Sequence, residues 1–165
     1  MPRFPTALYA LACAMLAGVV TAEACATPHE AALFNVAGLK SELMVTAISC
    51  NDDTEYNSFV MRFRGVLLAD DQALTSYFVH TYGRAGQAAH DAYITNVANQ
   101  MSQVGVAEGT EFCHRHLALF AEVLALGSPA QLEAFAASRG YVEPTVPPPC
   151  TVTAADPPPV LQKQR

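Results

Sequence analysis

Apolar residues recur at three- and four-residue spacing almost without a break from His29 to Gly140, the pattern of helices with a buried face. Leu33, Val36, Leu39, Leu43 and Ala47 form the first series and predict a helix that ends near Cys50. "NDDTEYNSF" then offers a helix start, with Asp52 or a neighbour as cap and Glu55 at the capping-box position. Tyr56, Phe59, Val60, Phe63 and Leu67 follow as one stripe, flanked by Arg62 and Arg64. A further start is expected at "LLADDQALTSYF", where Asp70 or Asp71 would cap. Leu74, Tyr77, Phe78, Thr81 and Tyr82 then share a side up to a left-handed stop at Gly83.

The next helix is expected from about Ala85 to Val104, burying Tyr93, Ile94, Val97, Met101 and Val104. "VGVAEGT" should interrupt it, and Thr110 with Glu111 should begin another that ends at Gly127. Ser128 as cap, Pro129 at the first helical position and Gln131 three residues after the cap predict a short last helix. It would bury Leu132 and Phe135 and stop at Gly140. The expected fold is all-α: a compact bundle-like or orthogonal array of about six short helices over residues 25–143.

The two ends read differently. Arg3, an apolar run from Phe4 to Val20 and the small–x–small Ala22-Glu23-Ala24 make residues 1–24 a secretory signal segment. The run is short for a membrane span, and no second one is expected. Residues 144–165, "PTVPPPCTVTAADPPPVLQKQR", are proline-rich and lack periodicity, so they read as an extended tail whose first half Cys150 pins. About 140 residues remain without the signal, enough for one domain with a core.

Charge narrows the partners. The chain carries 15 acidic and 9 basic residues, net −6, whereas nucleic acid and anionic lipid both call for clustered Lys and Arg. Export also gives the cysteines a role. Cys13 leaves with the signal, and Cys25, Cys50, Cys113 and Cys150 form an even set in an oxidising compartment. Three pairings are possible. Cys50–Cys113, joining two helix ends across the core, and Cys25–Cys150, tying the irregular termini, are the favoured pair; the first loop is worth about 4 kcal/mol on chain entropy.

The candidate chemistry centres on "EFCHRHLALF", residues 111–120. On a helix His114 and His116 point about 160° apart and cannot share an ion. Cys113, Leu117, Phe120 and Leu124 make the expected buried stripe, with Glu111, Arg115 and Glu122 facing water. His116 sits on the edge of that stripe. A metal or haem site would have to draw on His80, His90 and His116, together with Met101, but antiparallel packing tends to separate His90 from His116. No metal and no cofactor is assigned on this reading. "NDDTE" lacks the alternating ligands and central glycine of a calcium loop. "TYGRAGQ" is a turn between helices without a preceding strand to make a phosphate loop. No nucleophile elbow or paired carboxylates appear, so no catalytic residue is assigned.

"AISCNDDTEYNSFVMRFR", "YFVHTYGRAGQAAHDAYITNVANQMS" and "GTEFC" together resemble small exported, all-α, cysteine-bridged proteobacterial proteins. The resemblance implies export, helix and the Cys50–Cys113 bridge, and carries no catalytic residue with it. The functional expectation is a periplasmic or secreted, non-enzymatic interaction module with a protein partner in the cell envelope. A periplasmic ligand-, metal- or haem-binding protein using buried histidines is the alternative.

Overall fold

A computed structural model describes residues 25–150. The expected signal segment, 1–24, and residues 151–165 of the proline-rich stretch lie outside the described residues. The fold is all-α, with two disulfides and no strand among the described residues.

Helix α1, Pro28–Cys50, starts under a complete capping box. Thr27 Oγ1 accepts from the Glu30 amide at 3.3 Å, and Glu30 returns the bond to the Thr27 amide at 2.7 Å. Asn51, left-handed at φ 57°, ends the helix. Leu33, Phe34, Val36, Leu39, Leu43, Val45 and Ala47 are all buried, so α1 is apolar around most of its circumference and needs neighbours on several sides. Among the described residues α1 alone is long and apolar enough to cross a bilayer, which was not expected from its sequence. In the fold, however, 61% of its most apolar window is buried against the other helices.

Helix α2, Asp53–Tyr82, is one helix of 30 residues where two were expected. Asp52 precedes it as expected but makes no side-chain cap bond. The predicted restart at Asp70 or Asp71 does not occur. Leu67 and Leu74 are seven residues apart, so the buried series Phe59, Phe63, Leu67, Leu74, Tyr77, Phe78 keeps phase through the two acids. Aspartate inside a helix costs at most about 0.7 kcal/mol, too little to break a stripe packed at both ends. Gly83, at φ +56°, does stop α2. A single 3-10 turn, Gly83–Ala85, leads to α3, Gly86–Glu108.

Helix α3 runs through Gly105 and ends at Gly109 instead, φ +57°. Tyr93 and Val97 are buried as expected, while Val104 is exposed. The expected single helix after Thr110 is two short ones, α4, Glu111–His116, and α5, Ala118–Leu124, joined at Leu117 by a tightened bond from the Phe120 amide to the Leu117 carbonyl. The register is also shifted: Phe112, Leu119, Phe120 and Val123 are the buried positions, whereas Cys113, Leu117 and Leu124 are partly covered. Helix α6, Pro129–Ser138, begins at the Ser128 cap, whose side chain accepts from the Gln131 amide. The Gln131 side chain, however, accepts from the Gly127 amide, one residue before the box position.

The core has two parts that meet on α1. Val36, Leu39, Leu43 and Ala47 pack with the first half of α2, with α5 and with α6. Leu33 and Phe34 pack with Leu74, Tyr77 and Phe78 of α2 and with Tyr93 and Val97 of α3. Phe34 meets the Tyr77 and Tyr93 rings edge-on at 5.1 and 5.2 Å. After α6 the chain turns back over α1, where Thr145 is buried and Tyr93 Oη donates to its carbonyl at 2.9 Å. Gly38 makes room for this crossing, since a Cβ there would lie 2.9 Å from Thr145 Cγ2. Cys25–Cys150 then closes the termini beside a single backbone bridge between Ala26 and Pro149, and Cys50–Cys113 ties the end of α1 to α4.

The α2–α3 corner depends on Gly86. A Cβ there would lie 2.5 Å from the Val79 Cα and 2.7 Å from the Phe78 carbonyl oxygen, backbone that cannot yield. Gly86→Ala is therefore expected to destabilise the protein by about 1–3 kcal/mol in urea denaturation. Gly65, inside α2 with nothing within 4 Å of its Cβ position, gives the opposite sign. Gly65→Ala should stabilise by about 0.5–1 kcal/mol, and equal effects at the two glycines would contradict this account of the corner.

Candidate functional site

Glu42 is the one acid on the buried face of α1, with its side chain only 6% exposed, and it gathers the largest polar cluster of the described residues. Arg139, just past α6, donates Nη2 to Oε1 at 2.6 Å and Nε to Oε2 at 3.4 Å. Tyr141 Oη donates to Oε2. On the other side His116 Nδ1 lies 3.1 Å from Oε1, where its N–H donates to the carboxylate. The imidazole stacks on Phe112 at 4.3 Å between centroids, and its Nε2 sits 3.4 Å from Glu108 Oε2 at the end of α3, within ion-pair range but without hydrogen-bond geometry. Glu42 thus ties α1 to α4 and to the segment after α6, and His116 extends the tie to α3.

The electrostatics fit a lock more than a reactive group. Burial, reinforced by the facing Glu42 carboxylate, pushes the Tyr141 phenol well above its ordinary pKa. Burial works against the Arg139 cation, but Glu42 and Tyr141 together more than offset it and the pKa rises. Both oxygens of Glu42 are engaged by donors of the chain itself. No lone pair is left pointing at an open space, and the cavity described next contains none of these residues.

That cavity, about 190 Å³, lies between α1, α2 and α3 where the two core clusters meet. Leu33, Val36 and Leu67, Leu74 supply its walls from the two clusters, with Ala37, Met44 and Ile94 beside them. Its polar lining is Lys40, Ser41, Asp70 and Asp71. Lys40 Nζ pairs with Asp71 Oδ1 at 3.8 Å. Asp70 has no such partner among the described residues: its Oδ2 is shut from solvent and receives no hydrogen bond. Burial raises the Asp70 pKa, and the charge of Glu133 adds to the rise.

The three histidines singled out in the sequence are not brought together. His80 is exposed near the end of α2. His90 is buried edge-on against Phe78 at 5.6 Å, with neither ring nitrogen hydrogen-bonded. His116 reaches Glu108, 18 residues further along α3 than His90, which is about 27 Å of helix. Met101 packs on the α3 side of the core. Among the described residues no group of three His, Cys, Asp or Glu is arranged to hold a metal ion. All four candidate cysteines are in disulfides, Cys25 with Cys150 and Cys50 with Cys113.

Glu42, Glu108, Arg139 and Tyr141 were missed from sequence. One signal was available: an acid at position 42 falls inside the apolar series of α1 and must be satisfied if that helix is central.

Removing the hub should be costly. Glu42→Ala leaves Arg139, Tyr141 and His116 facing a void, and a loss of about 3–5 kcal/mol is expected in chemical denaturation. A loss below about 1 kcal/mol would show that the cluster holds nothing together. The phenols give a second test. Tyr141 and Tyr93 have folded pKa values raised by burial, so above about pH 10 the folded chain binds more protons than the unfolded one and stability falls as pH rises. Tyr141→Phe should flatten that alkaline fall in midpoints measured between about pH 9 and 11. An unchanged slope would contradict the burial argument.

No protein-family model matches the chain, and no curated protein or solved structure is significantly similar to it. The functional reading rests on the chain's own geometry.

Proposed function

We propose that the protein is an exported, non-enzymatic binding domain that holds a small, mainly apolar molecule between α1, α2 and α3. The carrying observation is the cavity of about 190 Å³ at the junction of the two cores. An apolar cavity of about 150 Å³ suffices to hold benzene, so this one suits a single ring with a short substituent. Its lining has apolar walls and a few polar groups on one side, the usual make-up of a ligand site, though small. No histidine or cysteine lines it, so the reading differs from a metal or haem protein. Two disulfides and the signal-like residues 1–24 support a periplasmic or secreted location.

An interaction module is the second reading, favoured by Met61 and Leu68 on α2, 78% and 57% exposed. These are seven residues apart and share a face. If they dock an envelope protein, a partner captured by the wild-type chain should be lost with the Met61→Glu, Leu68→Glu variant.

For the cavity reading the measurement is thermal denaturation with a panel of one-ring compounds, neutral and charged. A binding compound at about a hundred times its Kd adds about 2.7 kcal/mol, a rise in Tm of roughly 5–10 °C for a chain of this size. Ala37→Phe, which fills the cavity from α1, should abolish the rise. No rise with any compound would sink the cavity reading.

A further inference from the structure

We infer that the cavity between α1, α2 and α3 is selective for a small organic amine, an aromatic or alkyl body carrying one ammonium, with Asp70 as its counter-ion. The inference rests on the reading of that cavity as a ligand site and adds the charge of the ligand.

The cavity lining has three charged side chains, Lys40, Asp70 and Asp71. Lys40 is committed to Asp71 at 3.8 Å, which leaves one carboxylate unmatched. Asp70 is that carboxylate: it lines the cavity without an ion-pair partner among the described residues, and its Oδ2, packed away from the open volume, receives no hydrogen bond. A carboxylate in this position is costly by itself, and the buried positions around it are apolar. Of the charges further out, Glu133 acts on Asp70 as a like charge and outweighs His29, which acts in the opposite sense.

A ligand ammonium would supply the positive charge that the lining lacks, while its apolar body lay against Leu33, Val36, Leu67 and Leu74. A ligand carboxylate would meet a site with one net negative charge and would have to compete with Asp71 for Lys40. A neutral alcohol would supply a donor but no charge. The ranking amine, then alcohol, then hydrocarbon follows, with acids excluded.

Benzylamine, benzyl alcohol, toluene and benzoate share one ring and separate these terms. Their binding to the purified protein at neutral pH can be followed by calorimetry and by amide shifts of cavity residues. Benzylamine is expected to bind at least about tenfold tighter than benzyl alcohol or toluene, with benzoate weakest. Asp70→Asn, which keeps the shape, should erase the preference for the amine without weakening binding of toluene. Lys40→Met, which removes the competing cation, should strengthen benzylamine binding.

Equal affinities for benzylamine and toluene would overturn the amine assignment and leave the cavity reading standing. So would an amine preference that survives Asp70→Asn. Failure of all four compounds would overturn both.

Discussion

The fold is organised by one constraint: α1 is apolar on nearly every side and must be covered on every side. A helix with a single apolar stripe can lie on a surface, but a helix of this kind has to be the centre. Helices α2, α3, α4 and α6 all pack on it, and the chain returns after α6 to cross it at Gly38. Both parts of the core take residues from α1, the first from Val36 onward and the second from Leu33 and Phe34. The disulfides act on the same element. One fixes the end of α1 to α4, and the other, closing a separation of 125 residues, fixes the strand-like stretch before α1 to the returning segment. Chain entropy makes the longer closure worth about 5 kcal/mol taken alone, and less beside the first because the loops are nested.

A central helix can carry an acid only if the covering elements bring donors to it. This explains why Arg139, Tyr141 and His116 converge on Glu42 from sequence separations of 97, 99 and 74 residues. The cluster has the residue types of an active site, but its chemistry is exhausted internally. Replacing one charged partner in such a network costs more than the pair contributes, because the others are left buried and unpaired. The Glu42 cluster therefore enforces which segment covers which side of α1, a role in specifying the fold.

How much of this could be read from the sequence follows the range of each interaction. The end of α1 near Cys50, the stop at Gly83 and the start of α6 at Ser128-Pro129 are set within a few residues, and they were legible. The all-α class was legible for the same reason. The hub was not, since nothing local near Glu42 points to Arg139 or Tyr141. His116 was narrowed to a single question, what faces it, and only the packed fold supplies the answer. The "EFCHRH" stretch misled in register as well. Phe112, not Cys113, turns to the core, and Cys113, bridged to Cys50, lies at the rim.

The most informative misreading is at "LLADDQ". Two adjacent acids interrupting an apolar stripe look like the cap of a new helix, and local propensity supports that reading. The helix continues because Leu67 and Leu74 remain in phase, and Asp70 and Asp71 then have to sit inside a helix that packs on α1. They land at the junction of the two cores, on the lining of the cavity. Sequences that break a local rule without breaking the fold do so most often at functional positions. That argument supports the proposed site at these acids: Asp71 pairs with Lys40, and Asp70 Oδ2 is among the buried polar atoms that the fold leaves without a donor.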